Sequence, residues 1–188
     1  MMMPSVTPMV IMFTAVNKGK QKKGHPYSPT FIFLSGYLVA WALFSIVASA
    51  IQYPLHESGL LNPMMNSRSY LLSGCILLIA GLYQWTPLKE ACLSNCRSPL
   101  SFLMTSWREG YLGAFKLGVH HGLYCVGCCW ALMLVLFSVG VMNMLWVFLI
   151  TAFVLLEKVG PIASFYLRFI TGLLLISWGS YWLSFHPW

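Results

Sequence analysis

Residues 30–52 read TFIFLSGYLVAWALFSIVASAIQ, and no charged side chain interrupts them. At 1.5 Å per residue a helix of that length reaches about 34 Å, more than the roughly 30 Å hydrocarbon core of a bilayer. The strands of a membrane barrel are far shorter, about 10 residues, and alternate apolar with polar side chains. This run does neither, so it reads as a transmembrane helix from Thr30 to Gln52.

The rest of the chain has the same character. Of its 188 residues 59% are hydrophobic and 8% charged, against roughly 45–50% and about 25% in soluble domains. Glu57, Glu90, Glu109 and Glu157 are its only acids, and there is no Asp. So few charges cannot cover a water-facing surface, which excludes a soluble domain. The expectation is all-α: a polytopic transmembrane helix bundle of about five full spans plus an N-terminal partial span, forming one integral-membrane domain over 1–188.

Working outward, residues 1–16 are apolar but short of the about 20 residues that a crossing needs. They carry no basic leader segment of the secretory kind. A Gly/Lys/Pro loop is expected at 17–29 and a polar connection at 53–68. A second span covers 69–86 and stops at Thr86-Pro87, where proline cannot continue the helix. Residues 87–116 read as the longest polar loop. Three further spans are expected at 117–142, 144–158 and 162–184. Trp85, Trp107, Trp146, Trp182 and Trp188 fall near span ends, where interfacial anchors belong.

The net charge of +7 does not point to nucleic acid, since no soluble basic face exists to track a phosphate backbone. Its distribution sets orientation instead. With 17–29 on the cytoplasmic side, alternation puts 87–116 and 157–161 there too, leaving only Arg68 and Arg168 elsewhere among the basic residues. That bias is the positive-inside pattern. A bacterial inner membrane is the expected location and the lipid bilayer the expected partner.

Chemistry concentrates at two places. Cys92 and Cys96 are one helical turn apart and share a face. In His120-His121-Gly122-Leu123-Tyr124-Cys125-Val126-Gly127-Cys128-Cys129, the step of about 100° per residue puts His121, Cys125, Cys128 and Cys129 in one sector. His120 points elsewhere. Any one cysteine reads as a small packing hydrophobe; five of six gathered in two clusters argue for ligands. A disulfide does not suit Cys92 and Cys96 on a reducing cytoplasmic face, and zinc fits their spacing less well than it fits zinc-knuckle motifs. Thiolate, thioether and imidazole together select Cu(I). Met133 lies one turn beyond Cys129, and Met142 and Met144 stand near the end of that span as further soft donors. Glu157 beside Lys158 reads as an interfacial ion pair, and Gly118 with Gly122 as a small-residue pair that admits another helix.

No phosphate loop, nucleophile elbow or carboxylate pair is present, so no enzymatic activity is expected. The opening Met-Met-Met-Pro-Ser-Val-Thr-Pro-Met, the block Tyr83–Pro99 with its Gln-Trp-Thr-Pro-Leu-Lys string, and the block Gly118–Asn143 with Cys-Val-Gly-Cys-Cys-Trp resemble a bacterial family across nearly the whole chain. Its members are described as metal-binding integral membrane proteins of unknown function, some as copper chaperones. The resemblance implies a full first helix ending at Met-Met-Pro, so that the chain begins inside it. It marks Cys92, Cys96, His121, Cys125, Cys128, Cys129, Met142 and Asn143. The function expected is non-enzymatic Cu(I) handling for copper delivery or transport. The alternative is an accessory or structural subunit of a larger membrane complex, such as a copper enzyme. A thiol–disulfide enzyme fits worse, since it needs a reactive pair near the outer face.

Overall fold

The computed structural model describes residues 3–22, 28–57, 70–107, 110–140 and 143–185. Among them the chain is all-α, with eight helices and no strand: α1 (Met3–Gln21), α2 (Thr30–Glu57), α3 (Tyr70–Tyr83), α4 (Pro87–Arg97), α5 (Pro99–Ser106), α6 (Gly110–Val139), α7 (Met144–Val159) and α8 (Pro161–Phe185). Two stretches are long and apolar enough to cross a membrane, Thr30–Leu55 and Gly110–Leu136. Helices α3 and α4 make a third if taken together as one bent span.

The segment expected as a loop over 87–116 is instead helical. Pro87 and Pro99 each open a helix, the position where a fixed φ helps and a missing N–H costs nothing. Thr86 prepares α4: its hydroxyl donates to the Tyr83 carbonyl at 2.8 Å and accepts from the Lys89 N–H at 3.4 Å. Glu90 in the first turn and Arg97 in the last suit the helix dipole. Polarity here marks a partly exposed polar helix, not a loop; of its residues Lys89 and Leu93 are buried. Two boundaries move as well. Helix α1 runs on through Lys18 and Lys20 to Gln21, and α6 starts at Gly110, which places Lys116 inside it. Helix α6 ends at Val139, where Gly140 takes φ +99° and its N–H bonds the Leu136 carbonyl at 2.8 Å. Glycine adopts that backbone conformation without steric cost.

The chain divides into two compact units, residues 2–47 with 90–128 and residues 48–89 with 129–188. In the first, α2 and α6 touch backbone to backbone. A Cβ at Gly118 would collide with the Phe33 carbonyl oxygen, and one at Gly36 with that of Phe115. At Gly122 it would lie 2.6 Å from the Ala40 methyl. The Gly118/Gly122 pair therefore does admit a neighbouring helix, and that helix is α2. Around this seam lies a core of Val6, Met9, Phe13, Phe33, Tyr37, Phe102, Leu103, Ala114, Leu117 and Cys125. Phe13 stacks on Phe33 at 4.9 Å and on Trp107 at 5.5 Å. Asn17, buried in α1, closes the unit by donating to the Ser28 carbonyl and accepting from its N–H.

The second unit rests on an α3–α8 seam built the same way. Gly74 faces Gly179 and Gly81 faces Gly172, each side chain replaced by the other helix's carbonyl at about 3.0–3.2 Å from where a Cβ would sit. The order of the pairs makes α3 and α8 antiparallel. Rings clamp both ends of the seam: Tyr70 stacks on Trp182 at 5.3 Å and Trp85 on Phe169 at 5.7 Å. Small residues that let backbones approach are how helices gain dispersion contact where lipid is as apolar as the side chains.

Candidate metal centre

Helix α6 carries a continuous buried stripe of Ala114, Leu117, His121, Cys125, Cys128, Leu132 and Val135. The intervals of three and four are those of one helix face. His121 and two of the cysteines face inward because they fall on that stripe, while His120, one step of about 100° away, is exposed.

Cys125 is fully buried and held by polar neighbours from two other helices. The Tyr37 hydroxyl of α2 lies 3.4 Å from its sulfur and the Ser5 hydroxyl of α1 lies 3.9 Å away. The Cys128 thiol donates to the Cys125 carbonyl at 3.1 Å. From α4, Cys92 reaches the same turn of α6: its sulfur occupies the space beside Gly127, 2.8 Å from where a Cβ would stand. Cys128 lies near enough to act on this thiol electrostatically. Any larger residue at 127 would displace that sulfur. Cys96, one turn on, packs half-buried against the core that contains Cys125. The His121 ring sits among Phe33, Tyr37 and Phe102, at 6.2, 6.1 and 5.5 Å between centroids. Tyr37 thus touches both the imidazole and the Cys125 thiol.

The structure therefore gathers Cys92, Cys96, His121, Cys125 and Cys128 in one unit. Cys129 is buried at the next position of α6, Met133 is buried, and Met144 is exposed at the start of α7. Met142 lies outside the described residues. Asn143 caps α7, its side chain accepting from the Leu145 N–H at 3.1 Å. None of the six cysteines is in a disulfide, and Cys75 is exposed. Among the described residues no three His, Cys, Asp or Glu side chains converge as a ready-made metal chelate. A soft metal bound here would replace thiol protons and draw the sulfurs together. The donors gathered here are sulfur and imidazole rather than the carboxylate and carbonyl oxygens that hard cations need.

Sequence reasoning misses Ser5 and Tyr37, which lie 120 and 88 residues from Cys125. It also misplaces Glu157. Rather than standing at an interface, Glu157 is buried and binds Lys89 through both carboxylate oxygens, at 2.8 and 3.0 Å. The Gln84 side-chain oxygen accepts from the same ammonium. A lone carboxylate could not be buried at that depth; the helical α4 supplies its counter-ion. The signal lay in the Gln84–Lys89 string, in which both polar residues turn out to be 1% exposed.

No match was found among curated proteins or among solved structures. Residues 1–182 match the family model described as PpoB2, copper chaperone, and the chain belongs to that family.

Proposed function

We propose that the protein is a non-enzymatic membrane carrier that holds Cu(I) on thiolates and passes it on as cargo, for copper delivery or transport. The observation that supports this most directly is the placement of the Cys92 sulfur beside Gly127, on the turn of α6 that also carries Cys125 and Cys128, in a chain of a copper chaperone family. Cys125 and Cys128 are the proposed primary ligands, with Cys92 closing a sulfur-rich site of two to four ligands. Cys96, Cys129, His121 and Met142 are proposed as neighbouring donors for loading and release. Soft sulfur ligands favour Cu(I) over zinc in such a set. An imidazole that binds metal needs its other nitrogen oriented by a second group, a role open to the polar neighbours of His121.

In this reading the chain is one integral domain of a bacterial inner membrane, because the boundaries of its two units fall inside α2, α4 and α6 rather than in linkers. About five spans and an N-terminal partial span are proposed, with α7 and α8 as the last two.

The test is metal analysis of purified protein after anaerobic loading with Cu(I). Wild type should retain copper, and the Cys125→Ser/Cys128→Ser protein should lose it while keeping its helical content. A double variant with wild-type copper content, or a wild type that never retains copper, would overturn the reading. The cysteines would then be packing, and the chain an accessory subunit of a larger complex.

A further inference from the structure

A second site lies in the unit formed by residues 2–47 and 90–128, away from the thiols. A cavity of about 410 Å³ is lined by Thr105, Ser106, Trp107, Lys116, Leu117 and His120. That volume falls in the range of small-ligand pockets, about 300–1,000 Å³. Lys116, Leu117 and His120 share one face of α6, and Ser106 and Trp107 close the end of α5. Leu117 forms the buried floor, whereas Lys116 and His120 are exposed.

Three donors around this cavity are uncommitted. The Ser106 hydroxyl, the Lys116 ammonium and the His120 imidazole make no hydrogen bond or ion pair among the described residues. Among the described residues no carboxylate lines the cavity. A second cation stands beside it, for Lys20 holds its ammonium 4.4 Å from the centroid of the Trp107 ring. One feature opposes an anion: the free carbonyls at the C-terminus of α5 carry at most about half a negative charge. Two lysines, each with a full positive charge, outweigh it. The field in the cavity is therefore positive, and its donors match the oxygens of a tetrahedral oxyanion.

We propose that this cavity binds a phosphate group, borne by an anionic lipid headgroup or by a free phosphate. Basic pockets beside membrane helices take such headgroups. Lys116 and Ser106 are the proposed direct ligands, with His120 as the third donor and Lys20 raising the local potential through Trp107. The site is independent of copper binding.

The test uses the full chain in an uncharged detergent. Native mass spectrometry would count retained phosphatidylglycerol, with diacylglycerol of the same chains as the phosphate-free control, and calorimetry would titrate inorganic phosphate. Wild type should bind at least one of the two phosphate probes and not diacylglycerol. Lys116→Gln should weaken that binding about tenfold and Ser106→Ala by several-fold, as expected for losing a charge-assisted or a neutral hydrogen bond. Lys18→Gln, on the exposed face of α1, should bind as wild type does. Retention of the lipid alone assigns the site to a headgroup; binding of inorganic phosphate assigns it to a free anion. Equal binding by wild type and both cavity variants, or equal weakening by Lys18→Gln, would overturn the proposal. Because both cavity positions are solvent-accessible, helical content by circular dichroism should match wild type in each.

Discussion

The Lys89 ammonium sits 2.8 and 3.0 Å from the two carboxylate oxygens of Glu157, and neither side chain is more than 2% exposed. The Gln84 amide oxygen completes the ammonium's shell. Removing two charges from water costs several kcal/mol per ion, and their attraction offsets that only when hydrogen bonding is complete. Here it is close to complete. Cys92 follows Lys89 by three residues on α4, so the ion pair anchors the start of the helix that carries the outer thiols.

Breaking this pair from one side should be costly. Glu157→Gln or Lys89→Met leaves a buried charge without its counter-ion, and either should lower stability by about 3–5 kcal/mol. Replacing both by apolar residues, Lys89→Met with Glu157→Leu, should recover most of the loss. Thermal unfolding in detergent, followed by circular dichroism, measures it. A double variant as unstable as the worse single one would show that the charges do more than satisfy each other.

The two glycine seams make a prediction of a different kind. Gly118→Ala drives a methyl into the Phe33 carbonyl, and Gly81→Ala puts one 3.0 Å from the Gly172 carbonyl and 2.7 Å from the Ile176 side chain. Backbone cannot yield cheaply, so each should destabilise by about 1–3 kcal/mol. Gly19→Ala meets nothing within 4 Å and should be neutral or stabilising by up to about 1 kcal/mol, since alanine is the better helix former. The same unfolding assay ranks all three.

How far the fold could be read follows from these residues. Helix α2 was legible because apolar length alone specifies it, and the inward turn of His121 because a helix steps by about 100° per residue. Helices α4 and α5 were not. Their polar residues read as a loop because the partner that allows Lys89 to be buried stands 68 residues away, and a single sequence does not display such pairings. The glycines at 74, 81, 172 and 179 show their seven-residue spacing plainly, but the spacing does not say which helix faces which. At the thiol cluster the clustering of cysteines was visible, while Tyr37 and Ser5 resembled any other span residues.

Orientation can be checked by labelling. Gln21 and Ser101 are exposed, at the end of α1 and within α5. With basic segments held on the cytoplasmic side, Gln21→Cys and Ser101→Cys, each introduced into a chain without native cysteines, should react with an impermeant maleimide only from inside. Reaction of the two from opposite sides would refute the shared cytoplasmic face.

Copper should leave a footprint on the thiols themselves. Alkylation requires a free thiolate, and a sulfur bound to metal is protected. In detergent-solubilised protein loaded anaerobically with Cu(I), Cys92 should become markedly less reactive towards a small maleimide, by about tenfold or more, as read by mass spectrometry of digested protein. Half-buried in the structure, it has the accessibility needed to show the change. Cys125 and Cys128, already buried, should react slowly in both forms and separate only under partial denaturation, where copper should still protect them. Cys75 is exposed and is not among the proposed ligands, so its rate should be the same with and without copper. Equal protection of Cys75 would mean that copper adsorbs to any thiol. An unchanged Cys92 would remove α4 from the site and leave Cys125 and Cys128 to hold the metal with ligands from α6 alone.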